Sequence, residues 1–246
     1  MGRRAVIIWA TALGLPLVAA APTTAAAPRQ TATLTFTTTR PGAPTGLSMA
    51  IDWTNPSDPS AKPYAVDKIV FRYAPGVTID YAAPEQCKAS DAQLEAQGAA
   101  ACPAASRVGS GEIVTDSGAS GGPFPRFVDV HADNFNNQDE LIGVGDATNV
   151  PVIPGFTRTV TRSRIAGGSF TTDFPDVPTG SPPDGYDALK SLRLSGPAIV
   201  RGARAYLRTP SWCPRSRVWT NTLTFVYHDG VQQTVETDTP CRPGGR

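Results

Sequence analysis

The sequence contains few of the residues on which common catalytic sites depend. It has two histidines, His131 and His228, and four cysteines, none of which form a pair with C-x₂₋₄-C spacing. Structural zinc sites usually contain such a pair, so zinc ligation by these cysteines is disfavoured. A glycine-rich phosphate loop, a nucleic-acid recognition motif and a pair of catalytic carboxylates are also missing. We therefore expect neither nucleotide-dependent chemistry nor nucleic-acid binding.

The chain also lacks an excess of either charge. It contains 22 Lys and Arg residues and 21 Asp and Glu residues, which gives a formal net charge of +1. Without Arg3 and Arg4, the two basic residues among the first twenty, the balance becomes −1. A net charge this close to zero argues against a general binder of polyanions.

Long hydrophobic runs are absent apart from one near the amino terminus. Arg3 and Arg4 precede an apolar stretch, residues 5–20, and small residues follow it. This order is typical of a secretory signal peptide over residues 1–20, cleaved after Ala20 or as late as Ala26. The apolar stretch is shorter than the roughly 20 residues that a bilayer span needs. We therefore expect a secreted, extracellular protein with no membrane span after cleavage.

The rest of the chain is rich in turn formers and in short alternating runs. It contains 24 Pro and 23 Gly. Residues 46–53 (GLSMAIDW) alternate apolar and polar side chains, as a half-buried strand does. The other runs that we predict as strands are 31–39, 66–73, 126–132, 140–144, 150–153, 156–165, 169–174, 188–194, 198–207, 218–228 and 231–237. Asp229-Gly230 lies between the last two runs and predicts a hairpin with a type I′ turn.

One helix is expected, because Ser90 and Gln93 have the spacing of a capping box and Gly98 can end the helix. About a dozen short strands and one helix predict a mainly β protein. We expect a single β-sandwich or jelly-roll-like domain over residues 31–241, with a disordered leader at 21–30 and a polar tail at 242–246. The alternative is a pair of Ig-like sandwiches divided near residues 116–124.

The four cysteines are an even number in a chain that we expect to be exported, so disulfides are predicted. Three pairings are open. The local pairing, Cys87 with Cys102 and Cys213 with Cys241, closes the shortest loops and is favoured. It would place a disulfide across the predicted helix.

Several short motifs resemble those of a group of secreted proteins. They are CPAASRVG at 102–109, TPSWCP at 209–214, LTFVYHDGVQQT at 223–234 and TPC at 239–241. Together they look like motifs of uncharacterised, β-rich extracellular and surface modules of high-GC Gram-positive (actinobacterial) bacteria. The resemblance implies export, β-structure and disulfides, and it implies no activity or ligand.

Residues 118–123 read GASGGP and raise the question of a nucleophilic serine. The letters are close to the GDSGGP of trypsin-like proteases, but no histidine precedes Ser120 as that mechanism requires. They also satisfy G-x-S-x-G, but Pro123 and Pro125 prevent a helix from starting directly after the serine. We interpret the segment as a glycine-rich connection. The alternative is an extracellular hydrolase that uses Ser120, or the cluster described next.

Three weaker candidate sites remain. Asp129, His131 and Asp133 alternate along one strand, so they share a face and could bind Ca²⁺, the one cofactor that we consider. A second candidate is an anion site, for an acidic polysaccharide or phosphate polymer, on the strand face that carries three arginines. These arginines are Arg158, Arg162 and Arg164. The third is a sugar-stacking surface made from Tyr64, Tyr73, Tyr81, Trp212 and Trp219.

The sequence thus predicts a secreted, non-catalytic binding or structural module of the cell envelope or the extracellular space. A cell-wall or other extracellular polysaccharide is the partner that these candidate sites would fit.

Overall fold

The computed structural model of the chain describes residues 27–118, 124–138 and 140–242. The predicted signal peptide and most of the predicted tail lie outside these residues. The described part is mainly β, as expected, with one short α-helix. Its strands are β1 (Gln30–Phe36), β2 (Leu47–Trp53), β3 (Val66–Arg72), β4 (Thr78–Ile79), β5 (Arg107–Asp116), β6 (Phe127–Asn137), β7 (Glu140–Ala147), β8 (Arg158–Ala166), β9 (Ser169–Asp173), β10 (Ala188–Gly196), β11 (Val200–Arg201), β12 (Arg204–Ala205), β13 (Leu207–Arg208), β14 (Val218–Tyr227) and β15 (Gln232–Pro240).

Eleven of these strands form one antiparallel sheet in the order β1-β2-β10-β5-β6-β7-β8-β9-β3-β14-β15. The sheet curls until its two outer strands, β1 and β15, lie side by side. The Thr237 hydroxyl donates a hydrogen bond to the Leu34 carbonyl, and the Phe36 amide donates one to the Thr239 hydroxyl. The sheet is therefore nearly closed and encloses an interior.

Strands from both halves of the chain alternate in this sheet. β2 pairs with β10, and β3 pairs with β14, so strands on either side of residues 116–124 share one set of backbone hydrogen bonds. This pairing favours the single-domain prediction over two separate Ig-like sandwiches.

One side of the interior is filled by large side chains. β1, β2, β3 and β14 contribute a tightly buried cluster in which Trp53 and Phe225 meet edge to face with ring centroids 6.1 Å apart. Tyr227 is also fully buried there and donates a short hydrogen bond to the Gln30 side chain. Burial of aromatic side chains of this size is the main stabilising contribution that this part of the sheet makes.

The helix α1 (Asp91–Gln97) covers the outer face of β6, β7 and β8. The predicted capping box is present, because Ser90 accepts from the Gln93 amide while Gln93 caps the Ser90 backbone in return. Gly98 follows the helix with φ of 62°, a conformation that favours glycine. Leu94 is fully buried against Phe135 and Ile142 of the sheet.

Both predicted disulfides are present. Cys87 is joined to Cys102 with Cα atoms 4.9 Å apart, and Cys213 is joined to Cys241 with Cα atoms 5.6 Å apart. The first joins the two ends of the helical segment, and the Cys87 amide donates a hydrogen bond to the Asn136 carbonyl of β6. None of the helices formed by the described residues is long and apolar enough to cross a membrane.

Four predictions about local structure were wrong. Residues 27–30 do not belong to a disordered leader, because Gln30 begins β1 and Arg29 is held by Asp229 through two hydrogen bonds of 2.9 and 2.7 Å. Residues 150–153 form no strand. Residues 198–207 contain the two-residue strands β11 and β12 and the first residue of β13, rather than one long strand. The hairpin at Asp229-Gly230 is not type I′, because only Gly230 has positive φ.

A candidate binding cavity inside the sheet

The other side of the interior is hollow. A cavity of about 350 Å³ lies between β5, β6, β7, β8, β9 and β10. Its volume falls within the roughly 300–1,000 Å³ that is typical of small-molecule sites. The lining is predominantly apolar and includes Met49, Phe71, Ile113, Val130, Phe170, Leu189, Leu192 and Leu194.

The hollow exists because the inward positions of three neighbouring strands carry small side chains. β7 presents Gly143 and Gly145 to the interior, and β6 presents Ala132. β8, opposite the glycines, presents Thr159 and Thr161. A Cβ atom added at Gly143 would lie 2.5 Å from the Thr161 hydroxyl, so the two strands leave no room for a larger side chain between them. Small residues at these positions leave the centre of the sheet unfilled.

The cavity reaches the surface at one end of the sheet. Phe124 and Phe156 line the cavity there, and their rings meet with centroids 5.2 Å apart. Phe156 is nevertheless 47% exposed, and the nearby Phe127, Val152 and Ile153 are each 41% exposed. Single exposed apolar residues are ordinary, but a group of them at the mouth of an apolar cavity is typical of a ligand entrance.

Four polar residues of the lining lie near the same end. Asp187, Thr115, Ser117 and Thr179 all contribute to the wall of the cavity. Thr115 donates its hydroxyl to the Asp187 carboxylate, but burial has the larger effect and raises the pKa of Asp187 above its ordinary value. A mostly apolar cavity with a few convergent polar groups has the usual composition of a binding site.

Two neighbouring carboxylates at this end have cationic partners. Asp116 is fully buried and accepts two hydrogen bonds from Arg126, at 2.8 and 2.9 Å. Asp184 accepts from the Lys62 ammonium group at 2.9 Å, and both side chains are almost completely buried. Burial opposes ionisation of Asp184, but the hydrogen bonds from Lys62 and from backbone amides outweigh it and lower the pKa of Asp184.

The ion pair between Lys62 and Asp184 holds in place the loop that crosses the end of the sheet. Residues 174–187 include Pro175, Val177 and Pro178, which line the cavity. Lys62 binds both the Asp184 side chain and the Tyr186 carbonyl, so it ties this loop to residues 54–65. This proline-rich loop is therefore part of the cavity wall.

The predicted metal candidates lie on the opposite face of β6, away from the cavity. The Nδ1 atom of His131 lies 2.8 Å from Glu112, whereas Asp133 lies 3.2 Å from Arg107. The hydrogen bond with Glu112, aided by the charge of Asp133, raises the pKa of His131. His131 Nε2 is 3.7 Å from Asp133, but the three ligand atoms that a metal would need from Asp129, His131 and Asp133 do not converge in the described structure.

A different trio converges instead. Ligand atoms of Asp67, Asp176 and His228 lie within 4.8 Å of one another, and Asp67 is 2.9 Å from Nδ1 of His228. Among the described residues, this is the one group of three His, Cys, Asp or Glu side chains whose ligand atoms lie this close together. The hydrogen bond that His228 donates to Asp67 raises the pKa of His228. All three side chains are partly or largely exposed, and their visible role is to join the 174–187 loop to β3 and β14.

The predicted anion site on β8 has two of its three arginines already paired. Arg158 binds Asp146, with 2.5 Å between Nε and Oδ1, and the Glu95 carbonyl of the helix. Arg162 binds Asp91, Glu140 and the Ala89 carbonyl. Arg164 is exposed. Arg158 and Arg162 thus fasten the helical segment to the sheet, in which β8 lies between β7 and β9.

The predicted sugar-stacking aromatics do not form one surface. Trp219 is 2% exposed and belongs to the core, whereas Trp212 is 53% exposed. Tyr64 stacks on Arg29 at one end of the sheet, and Tyr73 packs near Phe36 at the other. Ser120 lies outside the described residues.

Comparison with protein-family models, with curated proteins and with solved structures finds no match. The cavity is therefore interpreted from its geometry alone.

Sequence reasoning missed the cavity, although a signal for it was present. The run LIGVGDA at 141–147 has glycine at positions 143 and 145, and TRTVTRSR at 157–164 has a hydroxyl side chain at every second position. Alternation of this kind normally indicates a solvated face. Here it forms the small-residue wall of an enclosed space, which only the pairing of β7 with β8 reveals.

Proposed function

We propose that this protein is a secreted, non-catalytic binding module that holds a small, largely apolar ligand inside its sheet. One observation carries the proposal, namely the cavity of about 350 Å³ with an apolar lining and a mouth at the surface. A folded protein usually fills such a space, because an unfilled apolar cavity costs stability. A ligand that occupies the space recovers the lost contacts.

The composition of the cavity supports binding rather than catalysis. Neither histidine lines the cavity, and His131 and His228 each bind a carboxylate elsewhere, Glu112 and Asp67. Acyl-transfer chemistry needs a nucleophile within hydrogen-bond reach of a base. The cavity lining of the described residues offers hydroxyl groups without a histidine base, and the carboxylate beside Thr115 belongs to Asp187.

Secretion is the second part of the proposal. Two disulfides are consistent with an oxidising, extracellular environment. The basic residues and apolar stretch at the start of the sequence support export through a signal peptide. A binding module outside the cell would meet hydrophobic molecules that are poorly soluble in water.

A variant that fills the cavity tests the proposal. Ala132→Leu adds apolar volume from β6 into the cavity and should weaken binding of the neutral dye Nile red at least about tenfold, a change of roughly 1.4 kcal/mol. His131→Leu is the matched control, because residue 131 points to the outer face of the same strand. The dye titration uses the full mature protein and follows fluorescence.

Stability of the same variant is the second measurement. Extra methylene groups in a filled core cost about 1–3 kcal/mol, whereas an empty cavity accommodates them. Ala132→Leu should therefore keep a thermal midpoint close to that of the wild type. Equal dye affinity in wild type and Ala132→Leu, or absence of dye binding by the wild type, would contradict the proposed function.

A further inference from the structure

The cavity wall contains a carboxylate that makes no ion pair of its own among the described residues. Three carboxylates lie near the mouth, and two of them, Asp116 and Asp184, are neutralised by Arg126 and Lys62. Asp187 lines the cavity itself and makes no ion pair among the described residues. Its side-chain partner is the neutral hydroxyl of Thr115.

A charged group in this position is unfavourable for the protein alone. Asp187 is partly buried, and a carboxylate that loses hydration is normally paired or neutralised. The nearest cation, Lys62, binds Asp184 and the Tyr186 carbonyl. Loss of hydration raises the pKa of Asp187, and repulsion by Asp116 adds to this, although the Thr115 hydroxyl and the charge of Lys62 oppose it. The apolar cavity thus contains one carboxylate, that of Asp187, without an ion-pair partner.

Because the lining is otherwise apolar, the missing partner identifies the chemistry of the ligand. We infer that the cavity takes an amphipathic amine, whose ammonium group binds Asp187 beside Thr115 while its hydrocarbon part fills the space between β5, β6, β8 and β10. This inference rests on the proposed function and specifies the ligand class. A charge-assisted hydrogen bond in a site of low polarity is stronger than one between neutral groups.

A series of ligands with equal chain length tests the inference. Decylamine, decanol and decanoate are titrated against the full mature protein by displacement of Nile red below their aggregation concentrations. The amine should bind about tenfold or more tightly than the alcohol, and decanoate should bind most weakly because Asp187 repels it. Equal affinities for amine and alcohol would overturn the inference. Failure of all three to displace the dye would instead count against the cavity as a ligand site.

Asp187→Asn provides the second arm. The variant keeps the shape and the contact with Thr115 but removes the charge, so amine and alcohol should then bind with similar affinity. Asp173→Asn is the matched control, because Asp173 is an exposed carboxylate on β9 that pairs with Lys68. The inference fails if Asp187→Asn leaves the preference for the amine unchanged.

Stability separates this role from a structural one. A carboxyl group whose pKa is raised in the folded state stabilises the fold at low pH, and that contribution is lost as the pH rises through the raised pKa. At a pH above the raised pKa the carboxyl group of Asp187 no longer stabilises the fold, and Asp187→Asn should have an equal or higher thermal midpoint there. A lower midpoint together with lost amine preference would show that Asp187 supports the fold instead of recognising a ligand.

Discussion

At the residue scale, polar side chains of this protein act according to the face of the strand on which they lie. On β8, Thr159 and Thr161 face the cavity, whereas Arg158 and Arg162 face the helix. The sequence predicts these two faces correctly, because alternation places them on opposite sides. It does not say which face is enclosed, since both faces are polar.

His131 and Glu112 offer a test of a contact on the outer face. The hydrogen bond between them raises the pKa of His131, and Asp133 adds to this effect while Arg107 opposes it. Glu112→Gln should therefore lower the pKa of His131 towards its ordinary value of about 6.5. An NMR titration of the imidazole ring measures the change.

The same pair has a predictable effect on stability. A raised histidine pKa stabilises the fold below the unfolded-state pKa, and the contribution disappears as the pH rises through the folded-state pKa. The wild type should thus exceed Glu112→Gln in stability below the pKa of His131, and the difference should disappear as the pH rises through that pKa. Asp129→Asn, on the same face, is the control, and an unchanged His131 titration in Glu112→Gln would contradict the assigned contact.

At the element scale, the most local signals were the most reliable. The capping box at Ser90, the glycine after the helix and the alternation in 46–53 were each predicted, and each is present. These features depend on neighbours within a few residues. The hairpin after β14 shows the limit, because the loop spans three residues, with the Tyr227 amide bonded to the Val231 carbonyl. Such a loop combines a turn with a bulge at Gly230, and the dipeptide alone does not distinguish it from type I′.

The disulfide that flanks α1 should stabilise this segment through the unfolded state. It closes a loop with a sequence separation of 15 residues. Replacement of Cys87 and Cys102 by alanine should cost about 3 kcal/mol of unfolding free energy by the chain-entropy argument. The Cys213–Cys241 loop has a separation of 28 and should cost slightly more. Denaturant unfolding of both double variants measures the difference.

If replacement of Cys87 and Cys102 lowers the unfolding free energy by less than this, other contacts must stabilise the helical segment. Arg158 and Arg162 are the obvious source, since both bind carbonyl groups of that segment. Hydrogen exchange of the helix amides identifies this case. If the helix amides remain protected from exchange after both cysteines are replaced, the disulfide is not the main contact that stabilises this segment.

At the scale of the whole molecule, the near-closed sheet has two unlike sides. Large side chains such as Trp53, Phe225 and Tyr227 fill one side, whereas glycine, alanine and threonine leave the other hollow. The sequence predicts the fold class because strand patterns and turn residues are local. It does not predict the cavity, because that depends on which inward positions oppose each other across seven strands. Long-range pairings, such as β3 with β9, supply that information.

The exposed apolar residues at the mouth belong to the same account. Phe156 lines the cavity and is 47% exposed, and Phe127, Val152 and Ile153 are exposed at the same end of the sheet. An amphipathic molecule could enter with its hydrocarbon part first and leave its charged group near the mouth. In the proposed binding, the exposed apolar residues at the mouth admit the hydrocarbon part, and Asp187 in the wall binds the charged group.

The most direct test of the central claim is a crystal structure of the mature protein with 1-bromodecane. Anomalous scattering from bromine locates the hydrocarbon without reference to any assay. The account predicts a bromine peak inside the sheet, within contact distance of Ala132, Thr161 or Leu192, with the surrounding strands unmoved. A peak confined to the outer surface, or an interior filled by collapsed side chains with no space for the ligand, would contradict it.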